Sequence, residues 1–90
     1  MGVKINIPSY LQPFTGDREV LEVTGNTSGE CLLNLSKQYP DTSDKLFNEG
    51  GELFDYVSIF VNGEFDDTNG LTKAVSDGDE IHVFYILGGG

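Results

Sequence analysis

The strongest structural signal in the sequence is the run Ile81-His82-Val83-Phe84-Tyr85-Ile86-Leu87, which Gly88-Gly89-Gly90 follows directly. Apolar β-branched and aromatic residues of this kind favour a β-strand. Glycine has no Cβ and no preferred backbone conformation, so we expect a flexible tail at 88–90 after a strand that a sheet anchors. The chemical group that such a tail presents is the α-carboxylate of Gly90.

The alternation of this last strand divides its side chains between two faces of a sheet. One face receives every second residue from Ile81, and the other receives His82, Phe84 and Ile86. A small sheet with one covering helix leaves its other face partly open. We therefore predict an apolar docking patch beside the tail, formed by Phe60, His82, Phe84 and Ile86; the alternative is that these side chains pack against the core. A histidine without a paired acid or nucleophile is a poor catalyst, so we assign His82 no catalytic role.

Two alternating runs and one amphipathic helix account for the first half of the chain. Residues 3–7 and 19–23 alternate between apolar and polar side chains, which predicts two half-buried strands of a hairpin. Thr27 and Glu30 have the capping-box spacing, so we predict a helix over residues 28–39. The apolar stripe of this helix is Cys31, Leu32, Leu35 and Tyr39.

The pattern of the second half of the chain predicts two further strands, at residues 56–61 and at the C-terminal run from Ile81, with short turns between the elements. Residues 41–44 can cap a short helical turn that presents Leu46 and Phe47 and ends at residues 48–51. Residues 56–61 are the most β-prone stretch, which we assign to a central strand. Residues 64–69 are acidic and turn-rich, and residues 70–75 are expected to form one helical turn before the last strand. This order predicts an α+β fold, a β-grasp in which a mixed sheet of four to five strands wraps around one main helix.

Length and charge limit the functional classes. Ninety residues allow a single domain, which we place at 1–87 ahead of a functional tail at 88–90. Fifteen Asp and Glu against five Lys and Arg give a net charge of −10, which excludes nucleic acid and anionic membranes as favoured ligands and suits a partner with a basic docking face. The sequence shows no membrane helix and no signal segment, so we expect a cytoplasmic protein that is a monomer when free.

The remaining reactive side chains favour structural roles. Cys31 is the only cysteine, and its position on the buried helix face predicts an inert thiol. Glu64, Asp66 and Asp67 lack the spacing of a calcium site, as do residues 77–80, so we assign both acidic groups to solvated turns. We therefore predict no metal site, no bound cofactor and no enzyme active site in this chain.

Short segments along the whole chain, in their order and spacing, resemble the ThiS/MoaD-type ubiquitin-like sulfur carriers. They are residues 3–8, Gly16, Gly25-Asn26-Thr27, Tyr39-Pro40, residues 57–62, Gly70-Leu71, residues 77–80 and the glycine end. Within the family, the sulfur carrier that serves cysteine synthase is most similar, and the segments that carry this similarity are Ile7-Pro8 with Leu11, Pro13 and Thr15-Gly16, and residues 51–61. The molybdopterin synthase small subunit comes next. Many long members have prolines before the terminal glycines, and this chain does not, which leaves the recipient pathway open.

The resemblance implies a carrier rather than an enzyme. A ubiquitin-activating-like adenylating enzyme would convert the Gly90 carboxylate to an acyl-adenylate, using ATP and Mg that belong to this partner. A sulfur donor would then displace AMP and leave a thiocarboxylate, with Gly88 and Gly89 as the thin segment that enters the partner's active site. The second implied partner is a sulfur-accepting synthase of the cysteine synthase type or of the molybdopterin synthase large-subunit type, with thiamin synthesis as a further pathway.

Two other functional classes stay open at this point. A protein modifier would form isopeptide bonds with lysines through Gly90, as ubiquitin does. A plain β-grasp interaction domain would have an inert tail. The sequence also leaves open whether the tail is trimmed to Gly89 before use.

Overall fold

The computed structural model describes residues 2–68 and 70–85. Ile86 and the glycines at 88–90, which the sequence assigns to the docking patch and the tail, lie outside the described residues. The strands and helices follow the chain in the order β1 (Val3–Asn6), β2 (Val20–Val23), α1 (Ser28–Gln38), α2 (Ser43–Leu46), β3 (Val57–Val61), β4 (Glu64–Phe65) and β5 (Glu80–Tyr85).

The described strands form one mixed five-stranded sheet in the order β2-β1-β5-β3-β4. β5 runs parallel to β1 and antiparallel to β3, so the last strand occupies the middle of the sheet. β3 lies inside the sheet, between β5 and the short edge strand β4. The predicted α+β architecture, a mixed sheet with one main helix, is confirmed.

Helix α1 begins at the predicted capping box and covers one face of the sheet. The Glu30 N–H donates to the Thr27 hydroxyl at 3.1 Å, and the Glu30 carboxylate accepts from the Asn26 N–H at 2.9 Å. Cys31, Leu32 and Leu35 are fully buried. They pack with sheet residues in a single apolar core that includes Val3, Ile5, Ile59, Ile81 and Val83.

The helix ends at Gln38, one residue before the predicted end. Tyr39 leaves the helical conformation at φ −133°, although its N–H still donates to the Leu35 carbonyl at 2.9 Å. The reason is Pro40, because the residue before a proline is driven out of the α region. Tyr39 is consequently only half-buried, at the edge of the apolar stripe.

The predicted helical turn at 70–75 is wrong. Gly70 and Leu71 have positive φ angles of 75° and 58°, which a right-handed helix excludes. The chain then runs past the start of α1, where the Leu71 and Lys73 carbonyls accept from the Gly29 and Ser28 N–H groups, each at 2.9 Å. These bonds satisfy donors that every helix N-terminus leaves free, and they outweigh the weak local preference for a turn of helix.

The acidic segment predicted to be turns begins with a short strand, Glu64–Phe65. Asn62 and Gly63 have φ angles of 51° and 86°, the geometry of a tight hairpin turn, and they join β3 to the two-residue strand β4.

Neither α-helix in the described part of the chain has the length and apolar character needed to span a membrane.

Candidate functional site

The sheet face opposite α1 is partly open and holds the aromatic side chains that the alternation predicts. β3 and β5 pair with Phe60 beside His82, and Phe84 follows on the same face. The Phe60 and Phe84 rings meet edge to face with centroids 5.1 Å apart, and His82 stacks on Phe84 at 6.1 Å. Phe84 is 47% exposed. These side chains lie outside the core, and their role in docking stays a prediction.

Phe65 is a fourth aromatic side chain of this face that the sequence analysis did not include. The tight turn at 62–63 pairs Phe65 with Phe60, and their ring centroids lie 5.6 Å apart. Phe65 is 55% exposed. Reading residues 62–63 as the centre of a two-residue hairpin would have found it, because that register places residues 60 and 65 opposite each other. We call Phe60, Phe65, His82 and Phe84 the aromatic patch.

A polar group borders the aromatic patch on the same face. The His82 Nε2 atom lies 3.4 Å from the Asn6 side-chain amide nitrogen and 3.6 Å from the Glu80 carboxylate. The Asn6 amide also reaches the Glu80 carboxylate at 3.4 Å. His82 therefore lies at the border between the aromatic rings of the patch and the polar side chains of Asn6 and Glu80. Apolar surface with a polar rim is typical of protein interfaces.

A cluster of tyrosines holds the end of β5, immediately before residue 86. The Tyr85 ring lies 4.2 Å from the Tyr10 ring and 4.9 Å from the Tyr56 ring. Burial, with smaller contributions from Tyr85 and Tyr56, raises the pKa of Tyr10 to about 12, so its phenol stays neutral at physiological pH. The cluster therefore packs Tyr85, the last described residue, against two other parts of the chain.

The thiol of Cys31 is buried, as the helix stripe predicts. Cys31 is fully buried, and a Cβ atom at Gly25 would lie 2.7 Å from its sulfur, so the backbone at Gly25 approaches the thiol closely. Burial, with a smaller effect of the Glu30 charge, raises the pKa of Cys31. A protonated and inaccessible thiol is a poor nucleophile.

Asp66 departs from the prediction of a solvated turn. It is only 5% exposed, and its carboxylate accepts hydrogen bonds from the Ser28 hydroxyl and from the amide and hydroxyl of Thr68. Burial acts to raise the pKa of Asp66, but these hydrogen bonds and the Lys73 charge outweigh it and lower the pKa below its usual value. Asp66 therefore ties the segment after β4 to the first turn of α1.

The acidic side chains do not combine into a metal centre in the part of the chain that the structure describes. Within residues 2–68 and 70–85, no group of three or more His, Cys, Asp or Glu side chains is placed to hold a metal ion. Asp67 and Asp77 are exposed, as expected of solvated turns, whereas Glu80 is the first residue of β5, and its exposed carboxylate contacts Asn6 and His82.

Comparison with known proteins places this fold in a family. Residues 5–90 match the model of the ThiS family. The sulfur carrier protein CysO of Mycobacterium tuberculosis is 32% identical over 93 residues, covering 100% of both chains. Small archaeal modifier protein 1 of Haloferax volcanii is 33% identical over 82 residues, covering 89% of this chain and 91% of its own. A chain from the crystal structure of the Amycolatopsis orientalis BexX/CysO complex superposes with a TM-score of 0.88 at 27% identity, covering 99% of this chain and 100% of that chain. The five-stranded mixed sheet, the single main helix and the full-length match together show that this chain belongs to the ThiS family.

Proposed function

We propose that this protein is a sulfur carrier whose Gly90 carboxylate is adenylated by a ubiquitin-activating-like enzyme and then converted to a thiocarboxylate. The observation that most supports this proposal is the family match, which continues through residue 90 and so includes all three terminal glycines. The full-length similarity to CysO, a protein named as a sulfur carrier, supports the same class.

The chemistry explains why a carrier would use its terminal carboxylate. A carboxylate is a poor electrophile until one of its oxygens becomes part of a good leaving group. Attack of the Gly90 carboxylate on ATP releases pyrophosphate and gives the acyl-adenylate, and a sulfur donor then displaces AMP at the same carbonyl carbon. The thiocarboxylate that results is a soft nucleophile, which transfers sulfur without releasing free sulfide. ATP and Mg act in the partner, and this chain contributes the acyl group.

The described part of the molecule supports this proposal with a docking face. Two members of the aromatic patch, Phe65 and Phe84, are exposed, and the other two are partly buried. β5 contributes Phe84 and His82 from the same strand that precedes the glycines in the sequence. We propose that the adenylating enzyme and the sulfur-accepting synthase each bind over this patch in turn.

A cysteine synthase-type acceptor is favoured by the resemblance of residues 51–61 and by the similarity to CysO; a molybdopterin synthase large subunit-type acceptor is the alternative.

Replacing the patch aromatics should weaken binding to the activating enzyme. We expect Phe84→Ala and Phe60→Ala each to raise the Kd about tenfold or more, a loss of about 1.4 kcal/mol, because buried aromatic side chains dominate interface energies. Val20→Ala is the matched control, since Val20 is 43% exposed on the distant edge strand β2. Isothermal titration calorimetry with the activating enzyme measures the effect, and thermal unfolding verifies that each variant is folded. Folded Phe84 and Phe60 variants that bind like the wild type would refute the docking role.

A second candidate function is protein modification. Small archaeal modifier protein 1 of Haloferax volcanii is 33% identical to this chain, and its name describes a modifier. In this function the activated Gly90 carbonyl would be attacked by a lysine amine of a target protein, giving an isopeptide bond instead of a thiocarboxylate.

One experiment separates the two functions. The protein is incubated with its activating enzyme, ATP, Mg and a sulfur donor, and the products are analysed by intact-mass spectrometry and by denaturing gels. A thiocarboxylate mass on Gly90, with no higher-mass species, is the result expected of a carrier. Conjugates that resist reductant and disappear when Gly90 is deleted would establish the modifier function instead. Neither product would contradict both.

A further inference from the structure

A groove lies beside α1, on the side of the molecule next to the edge strand β4. Its volume is about 1000 Å³, at the upper end of the range of ligand sites. Its apolar lining consists of Leu33, Phe47, Leu53, Phe65 and Leu71. Leu33 and Phe65 are 53% and 55% exposed, so the groove presents large apolar side chains to solvent. We call this surface the α1 groove.

Hydrogen bonds hold both walls of the α1 groove in place. On one wall, the Gly29 N–H donates to the Leu71 carbonyl at 2.9 Å. On the other wall, the Asn48 N–H donates to the Glu52 carbonyl, and the Asn48 side-chain oxygen accepts from the Gly50 N–H, both at 2.8 Å. A groove whose walls are already bonded loses little conformational freedom when it binds a ligand. These bonds favour a groove that is largely formed before a partner binds.

The charged residues that line the α1 groove are all acidic, and Lys73 lies near one of them, Asp66. The acidic residues that line it are Glu30, Glu49, Glu52, Asp66 and Asp67. Asp66 is buried and hydrogen-bonded, whereas the side chains of the other four acidic residues are exposed. The described residues of the lining include no Lys, Arg or His. Carboxylates beside an apolar strip attract a cationic partner and repel an anionic one.

The sheet edge beside the groove decides the conformation of the occupant. An extended peptide gains most of its affinity by pairing its backbone with a free edge strand. β4 is the edge strand here and has only two residues, so it offers few backbone hydrogen bonds. An amphipathic helix satisfies its own backbone and needs only an apolar groove and complementary charge. We propose that the α1 groove binds a basic amphipathic helix of a partner protein, with apolar residues facing Leu33 and Leu53 and with Lys or Arg beside Glu49 and Glu52.

This inference does not depend on the proposed chemistry of Gly90. The test uses a synthetic helical peptide of about 18 residues, with Leu at helical spacing on one face and Lys on the other. Two control peptides have the same composition in shuffled order, or Glu in place of every Lys. Titration of the isotope-labelled full chain, followed by NMR, locates the binding site. We expect amide shifts around Gly29, Leu33, Leu53 and Leu71, and no binding of either control peptide in the groove.

Two variants make the test specific to the groove. Leu33→Asp should lower the affinity for the Leu/Lys peptide at least tenfold, whereas Val20→Asp, at an exposed apolar site on β2, should leave it unchanged. The double variant Glu49→Gln with Glu52→Gln keeps the wall bonds, since these use the Glu52 backbone, and should lower the affinity at least threefold. Shifts confined to the aromatic patch, equal binding of the shuffled peptide, absence of binding, or equal effects of Leu33→Asp and Val20→Asp would each overturn the proposal.

Discussion

Deleting Gly90 is expected to abolish activation by the adenylating enzyme, lowering ATP–pyrophosphate exchange by about 100-fold or more, without changing the stability of the fold. The deletion moves the carboxylate back by about 3.5 Å, the reach of one residue. A displacement of even 1 Å from a fixed reaction geometry can cost about 100-fold in rate. Gly89→Val should fail for a separate reason, because a β-branched side chain restricts the backbone and adds bulk where the tail must be thin.

The measurement compares three chains with the cognate activating enzyme: full length, lacking Gly90, and lacking Gly89-Gly90. Equal unfolding temperatures of the three chains are the control for folding. We expect only the full-length chain to support exchange. Full activity of the chain that ends at Gly89, with an inert full-length chain, would mean that the tail is trimmed before use. Equal ATP–pyrophosphate exchange rates for all three chains would show that the tail takes no part in activation.

Replacing Asp66 should cause the largest loss of stability among the polar side chains described above. We expect Asp66→Ala to lower the free energy of unfolding by about 2 to 3 kcal/mol, because it removes the acceptor of a buried hydrogen bond from Ser28 and of partly buried ones from Thr68. Asp67→Ala is the matched control, since this neighbouring carboxylate is exposed and should change stability by less than about 0.5 kcal/mol. Urea denaturation at pH 7 measures both. Equal effects of the two substitutions would show that the Asp66 hydrogen bonds contribute nothing.

The same carboxylate should make stability depend on pH in a definite direction. The pKa of Asp66 is lower in the folded protein than its usual value of about 4. Its ionised form therefore stabilises the fold above pH 4, and this contribution is lost as the pH falls through the folded pKa. The difference in unfolding free energy between wild type and Asp66→Asn should accordingly shrink when urea denaturation is repeated near pH 3. A difference that stays constant or grows on acidification would contradict this linkage.

Those parts of the candidate site that obey local rules could be predicted from the sequence alone. Alternation along a strand allocates side chains to faces regardless of the neighbouring strands, so Phe60, His82 and Phe84 could be assigned to the open face. The helix position followed from the Thr27 and Glu30 spacing for the same reason, since capping involves residues within one turn. Ile86 and the glycines at 88–90 remain predictions, because they lie outside the described residues.

Other features were decided only by contacts between distant parts of the chain. Phe65 joined the aromatic patch because a hairpin turn placed it opposite Phe60, and Asp66 became buried because Ser28, 38 residues earlier in the chain, donates to it. Residues 70–75 do not form a helical turn, because carbonyls of this segment accept hydrogen bonds from N–H groups at the start of α1. Strand patterns and caps depend on neighbours within a few residues, and the sequence alone therefore determined the four longer strands, the main helix and its buried face, but not the two-residue strand β4. Three features depend on contacts between residues far apart in the sequence: the central position of β5, the buried Asp66 carboxylate and the α1 groove. Only the tertiary structure brings the hydrogen-bond donors and acceptors of these residues together.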